Sequence, residues 1–140
     1  MYTIIKQTQI MSFLAKLIID EEENNVLECS FDFTQNIGPD GRPVELPRAG
    51  LIHVLIESTG NTDILAWMVM PHTFKDGEIV FYNRDSMSSN KTLTFYDGIC
   101  VSYHEEFSAE DALPMKTRIA ISARAVDIND VSYENNWEIF

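Results

Sequence analysis

Cationic side chains are scarce in this sequence: 10 Lys and Arg stand against 22 Asp and Glu, a formal net charge of −12 at pH 7. A surface that binds nucleic acid or an anionic membrane needs a positive footprint, so neither partner is expected, and the negative excess favours solubility through self-repulsion. Cysteine is nearly absent. Cys29 and Cys100 stand far apart, with no CxxC and no histidine at metal-ligand spacing, and both are expected to be reduced, strand-borne side chains. No stretch approaches the roughly 18 apolar residues of a membrane-crossing helix. The opening MYTIIKQTQIMSF lacks a basic region followed by an unbroken apolar core and a small-residue cleavage site, so no Sec signal peptide is expected and folding is expected in the cytoplasm.

Catalytic signatures are lacking too. His53, His72 and His104 show no i, i+4 pairing and no cysteine neighbour, which gives no zinc or copper pattern. Ser58, Ser86 and Ser122 occur without a GxSxG elbow, and no glycine cluster forms GxGxxG or a phosphate-binding loop. The carboxylate neighbours Glu105/Glu106 and Glu110/Asp111 would point to opposite faces of a strand and not meet at one substrate. No catalytic residue, metal or cofactor is therefore expected. A hydrolase built on these carboxylates and a barrel holding a small ligand remain as competing readings.

What is present is period-two patterning over 140 residues, enough for one domain. Residues 1–10 precede a second methionine, Met11, and are expected to be a weakly ordered extension or an upstream start; 11–140 form the domain. Strands are expected over Ser12–Asp20, Val26–Asn36, Leu51–Ser58, Gly77–Arg84, Lys91–Asp97, Ile99–Phe107 and Met115–Val126, with DEEENN as the first hairpin turn. In the second strand Leu27, Cys29, Phe31 and Phe33 share the core face. Three of the five prolines and three of the six glycines fall in IGPDGRPVELPRAG, 37–50, a structured loop longer than a hairpin link needs. The tail after Val126 demands no regular element. Such antiparallel strands manage their edges by curling into a closed or nearly closed barrel, a mainly β fold with one short α-helix over an open end.

That helix is expected between Thr62 as N-cap and Pro71. Ile64, Leu65, Trp67 and Met68 cover more than the stripe of about 100° that a surface helix turns to one core. Either the helix is buried on nearly all sides or part of it, Trp67 foremost, faces another subunit.

The segments MSFLAKL, DGRPVELPRAG, ESTGNTDILAWM and FYNRDS, in this order, resemble the Bacteroidetes branch of the type VI secretion tube protein family, Hcp or TssD, over about Met11 to Glu138. The resemblance implies an Hcp-like closed antiparallel barrel that forms homo-hexameric rings and stacks as a tube. Its partners would be sheath and spike proteins and effector cargo, with assembly in the cytoplasm and secretion on firing. It implies no enzymatic activity. A contractile-phage tail tube is the neighbouring alternative. A ring of identical subunits joins one patch to a different one, and the candidate contact residues are Arg42, Pro43, Leu46 and Arg48 of the loop with Leu65 and Trp67 of the helix. Ala49 stands where many relatives carry glycine.

Overall fold

The computed structural model describes residues 14–83 and 88–137. The expected extension at 1–10, the start of the first strand at Ser12 and the turn at Ser86 lie outside them. Seven strands and one helix follow in the order β1 (Ala15–Ile19), β2 (Glu22–Phe31), β3 (Leu51–Glu57), α1 (Asp63–Val69), β4 (Lys75–Tyr82), β5 (Ser89–Phe107), β6 (Met115–Ile128) and β7 (Val131–Glu134).

The strands pair antiparallel in the order β3-β2-β1-β4-β5-β6, and β6 returns to β3 from Leu51↔Ser122 to Glu57↔Lys116, which closes a six-stranded barrel. β7 is the seventh strand and lies outside the closed ring. It takes the edge of β6 that β3 leaves free, pairing Ala125↔Glu134 to Ile128↔Val131. Gly50 sits where the two edge partners meet. Its φ is +98, a conformation that favours glycine, and a Cβ there would lie 2.6 Å from the Ala123 carbonyl oxygen and 2.4 Å from Asn135 Nδ2.

Four expectations change. DEEENN is not the hairpin turn: Asp20 and Glu21 alone turn with positive φ, and Glu22 already pairs with Ile19. A bulge between Val26 and Glu28 moves Leu27 off the core face, so Val26, Cys29 and Phe31 point inward and Leu27 is exposed. The strands expected on either side of Asp97-Gly98 are one strand, β5, because Asp97 absorbs the irregularity at φ 51 without breaking the pairing to β6. The tail does hold a regular element, β7.

The barrel interior is filled by side chains. Phe95, Leu17, Ile52, Ile79, Leu93, Ile119, Ile121 and Val54 are fully buried, and each contributes about 1.5–3 kcal/mol by leaving water. Phe95 sits among them because Gly77 and Gly98 leave it space: a Cβ on Gly77 would lie 2.6 Å from its ring and one on Gly98 2.8 Å from it. α1 covers this end. Trp67 is 3 % exposed, stacks on Phe95 with centroids 6.5 Å apart, and donates its Nε1 hydrogen to the Thr73 carbonyl at 2.9 Å. Thr62 is the N-cap residue but offers no side-chain bond; Asn61 Oδ1 accepts from the Asp63 amide at 2.7 Å instead. Two recesses beneath the helix hold about 20 Å³ each, room on the scale of a water and not of a metabolite.

Truncating the plug tests this packing. Trp67→Ala should lower unfolding free energy by about 3–5 kcal/mol in dilute protein, read from the urea midpoint; a loss below about 1 kcal/mol would show that the helix does not seal the core. The thiols report on the same interior. Burial pushes Cys29 from 9.0 up to about 11 and raises Cys100 as well. The folded Cys29 thus keeps its proton to higher pH than the unfolded thiol, so the associated stability is whole below pH 9.0 and is lost as pH rises through about 11. Cys29→Ala should flatten that part of the stability profile, and an unchanged slope would contradict a desolvated thiol.

Candidate subunit-contact surface

After Phe31 the chain leaves the barrel and re-enters it at Leu51. Between them it doubles back as an arm. Thr34 and Arg48 exchange both backbone bonds, at 3.0 and 2.7 Å, and Ile37 bridges Pro43 nearer the tip. The tip closes through Gly38 N–H to the Arg42 carbonyl at 2.8 Å, with Gly41 at φ +84. The proline-rich composition explains why this is not a continuous strand pair: Pro43 and Pro47 have no N–H to give to a ladder.

The arm pairs its own charges. Arg48 grips Glu45, Nε to Oε1 at 2.7 Å and Nη2 to Oε2 at 2.9 Å, and Asn36 Nδ2 donates to the same carboxylate at 3.1 Å. Arg42 lies beside Asp40, with Nε 3.4 Å from Oδ2. With the charges matched internally, the arm presents apolar groups to solvent: Ile37 is 64 % exposed, Val44 66 % and Leu46 81 %. A ribbon this thin has no interior in which to bury them.

A second apolar patch lies at the helix. Ile64, Trp67 and Met68 turn to the core, while Leu65, Val69, Met70 and nearby Phe74 are exposed. Leu65 is therefore on the surface as expected of a contact residue, and Trp67 is not: the stack on Phe95 holds its ring inside the subunit. The same stack anchors the helix on which Leu65 is exposed. The six expected residues fall into two regions, with Arg42, Pro43, Leu46 and Arg48 on the arm and the other two at the helix. Ile37, Val44, Val69 and Met70 escaped the sequence reading. For the first two a signal was available, since apolar residues within a Gly/Pro-rich segment have little chance of burial.

The outer face across β2, β3, β6 and β5 differs in character. The registers set Ser30 beside His53, His53 beside Ala120 and Ala120 beside Ser102, and the next row runs Glu28, Leu55, Arg118 and His104. Arg118 lies 3.5 Å from Glu28. The face mixes small residues and the Arg118–Glu28 pair with the exposed apolar side chains Leu27, Leu51 and Val101. At the barrel end, Ser58 Oγ and Thr117 Oγ1 are 2.5 Å apart, and Glu105 accepts from Thr117 at 3.3 Å and from Tyr103 at 3.2 Å. Glu106 is opposite Lys116 in the ladder. Among the described residues, no three His, Cys, Asp or Glu side chains group as metal ligands.

This architecture has known counterparts. The sequence profile described as Hemolysin coregulated protein Hcp (TssD) matches residues 11–138. The structure of Hcp1 from Flavobacterium johnsoniae superposes with a TM-score of 0.84 at 33% identity, over 88% of this chain and 100% of that one. Hcp1 from Salmonella typhimurium aligns with a TM-score of 0.69 at 12% identity, over 83% and 85% of the two chains. The sheath-tube complex of an extracellular contractile injection system, PVC, contains a chain with a TM-score of 0.54 at 15% identity, over 89% of this chain and 96% of that one. Those last two likenesses concern the fold alone. A search of curated proteins found no match. The family profile spans nearly the whole chain, and the Flavobacterium protein agrees with it in sequence and in fold. The chain belongs to the Hcp (TssD) family and is a tube subunit of a type VI secretion system.

Proposed function

We propose that six copies close into a ring, that rings stack into the inner tube, and that the arm makes the contact between copies. The observation that carries this reading is the exposure of Ile37, Val44 and Leu46 on an arm whose charged groups are already paired. A closed ring joins two different patches, and the apolar surface of Leu65, Val69, Met70 and Phe74 is the complementary one. Arg42, Pro43 and Arg48 shape the arm, Leu46 and Leu65 touch the neighbour, and Trp67 supports the helix.

The sheet face carrying Ser30, His53, Ala120 and Ser102 would line the conduit. On this reading the tube assembles inside the cell within a sheath, leaves with the spike, and catalyses nothing itself. Residues 1–10 are an extension outside the tube domain.

Leu46→Asp should abolish rings and larger assemblies in sedimentation velocity while leaving the monomer's melting within about 0.5 kcal/mol of wild type, since the residue touches no core. Unchanged assembly would remove the arm from the contact. Ionic strength supplies an independent check: each copy carries −12, so salt that screens repulsion should strengthen an apolar contact. Assemblies that dissolve in moderate salt would indicate ionic contacts in its place.

A further inference from the structure

The arm is tied to the barrel by the tail, through contacts that neither the barrel nor the arm needs for its own pairing. Tyr133, on β7, packs edge-on against Phe33 at the root of the arm, with centroids 5.6 Å apart and planes at 89°. Its hydroxyl lies 2.8 Å from the Pro47 carbonyl and 2.8 Å from Asn135 Oδ1. A phenol has one proton, so these two acceptors share it. Asn135 Nδ2 uses both hydrogens, one to Ala49 O and one to Ala123 O, at 2.9 Å each, and its own amide donates to Arg124 O at 2.7 Å. One side chain thus joins the returning leg of the arm to β6.

Besides this, one backbone bond, Ala123 N–H to the Gly50 carbonyl at 2.7 Å, ties the base of the leg to β6, and Val44 N–H reaches the Asn36 carbonyl at 2.9 Å across the arm. Pro47 has no N–H, Gly50 adopts φ +98, and the arm's two legs are joined near their root only by the Thr34–Arg48 pair. A recess of about 400 Å³ lies between Leu46, Pro47 and Arg48 on one side and Tyr133 and Asn135 on the other, so the leg is held there by hydrogen bonds and not by close packing.

We propose that the tail is a clasp: Tyr133 and Asn135 are positioning residues that set the angle at which the arm leaves the barrel, and so control whether copies can join. This rests on the reading of the arm as the contact between copies. The clasp would act on assembly through the arm's orientation and not through touching the neighbour. Its parts lie far downstream of the leg they hold, at a sequence separation of 86 for both Tyr133–Pro47 and Asn135–Ala49.

Hydrogen exchange and sedimentation velocity on the full chain test it with three variants. Tyr133→Phe keeps the ring contact with Phe33 and removes only the hydroxyl; Asn135→Ala removes the bridge. The expected result is amide exchange at Thr34 and Arg48 faster by about fivefold or more, the effect of one net hydrogen bond on an opening equilibrium, with the β6 amides from Ile119 to Ile121 unchanged and the concentration needed for assembly raised. Leu46→Asp is the control for the contact itself, expected to block assembly with arm exchange as in wild type. If Leu46→Asp blocks assembly while Tyr133→Phe and Asn135→Ala exchange and assemble like wild type, the clasp is overturned and the contact reading stands. If Leu46→Asp assembles normally, the contact reading fails, and the arm amides alone decide whether the tail sets the arm. Equal loosening of arm and β6 amides would reduce the effect to general destabilisation and also overturn the clasp.

Discussion

Closure of the barrel between β3 and β6, with Phe95 filling its centre under Trp67, is the constraint from which the rest follows. A six-stranded barrel is narrow, and here Gly77 and Gly98 give up their side chains so that one large ring can occupy the axis. The interior is then spent on stability. Whatever the protein recognises must be met on its outside, which is how a building unit differs from a ligand-binding barrel of similar topology.

The outside is divided accordingly. An arm with matched charges and exposed apolar groups projects from one side, a helix with a second apolar patch caps the end, and a sheet face carries Ser30, His53, Ser102 and a paired Arg118–Glu28. The division is an electrostatic one as much as an apolar one. A chain at −12 repels its copies at long range, and the proposed contact answers this with short-range apolar groups at places where charge is paired locally.

Much of this was legible in the sequence because alternation reports one-sided burial directly. Ala15, Leu17 and Ile19 point inward as their spacing requires, and the helix ends before Pro71. The misreadings have a common physical origin in long-range pairing. Alternation misplaces Leu27 because a bulge depends on the partner strand, positive φ at Asp97 inside a ladder leaves no mark in a pattern, and the four residues of β7 are ordered by β6 and not by their own composition. The contact surface was half legible. The Gly/Pro-rich segment announced an arm, but which side of the helix faced inward was settled only by the stack of Trp67 on Phe95. The clasp was invisible, since Asn135 and Ala49 are 86 positions apart.

The most direct measurement is a cryo-electron microscopy map of the protein assembled at high concentration. The account predicts six-membered rings with the arm around Val44 and Leu46 seated on the next copy near Leu65, Val69 and Met70. A map in which rings form with the arm free in solvent, or a protein that stays monomeric at every concentration, would contradict it.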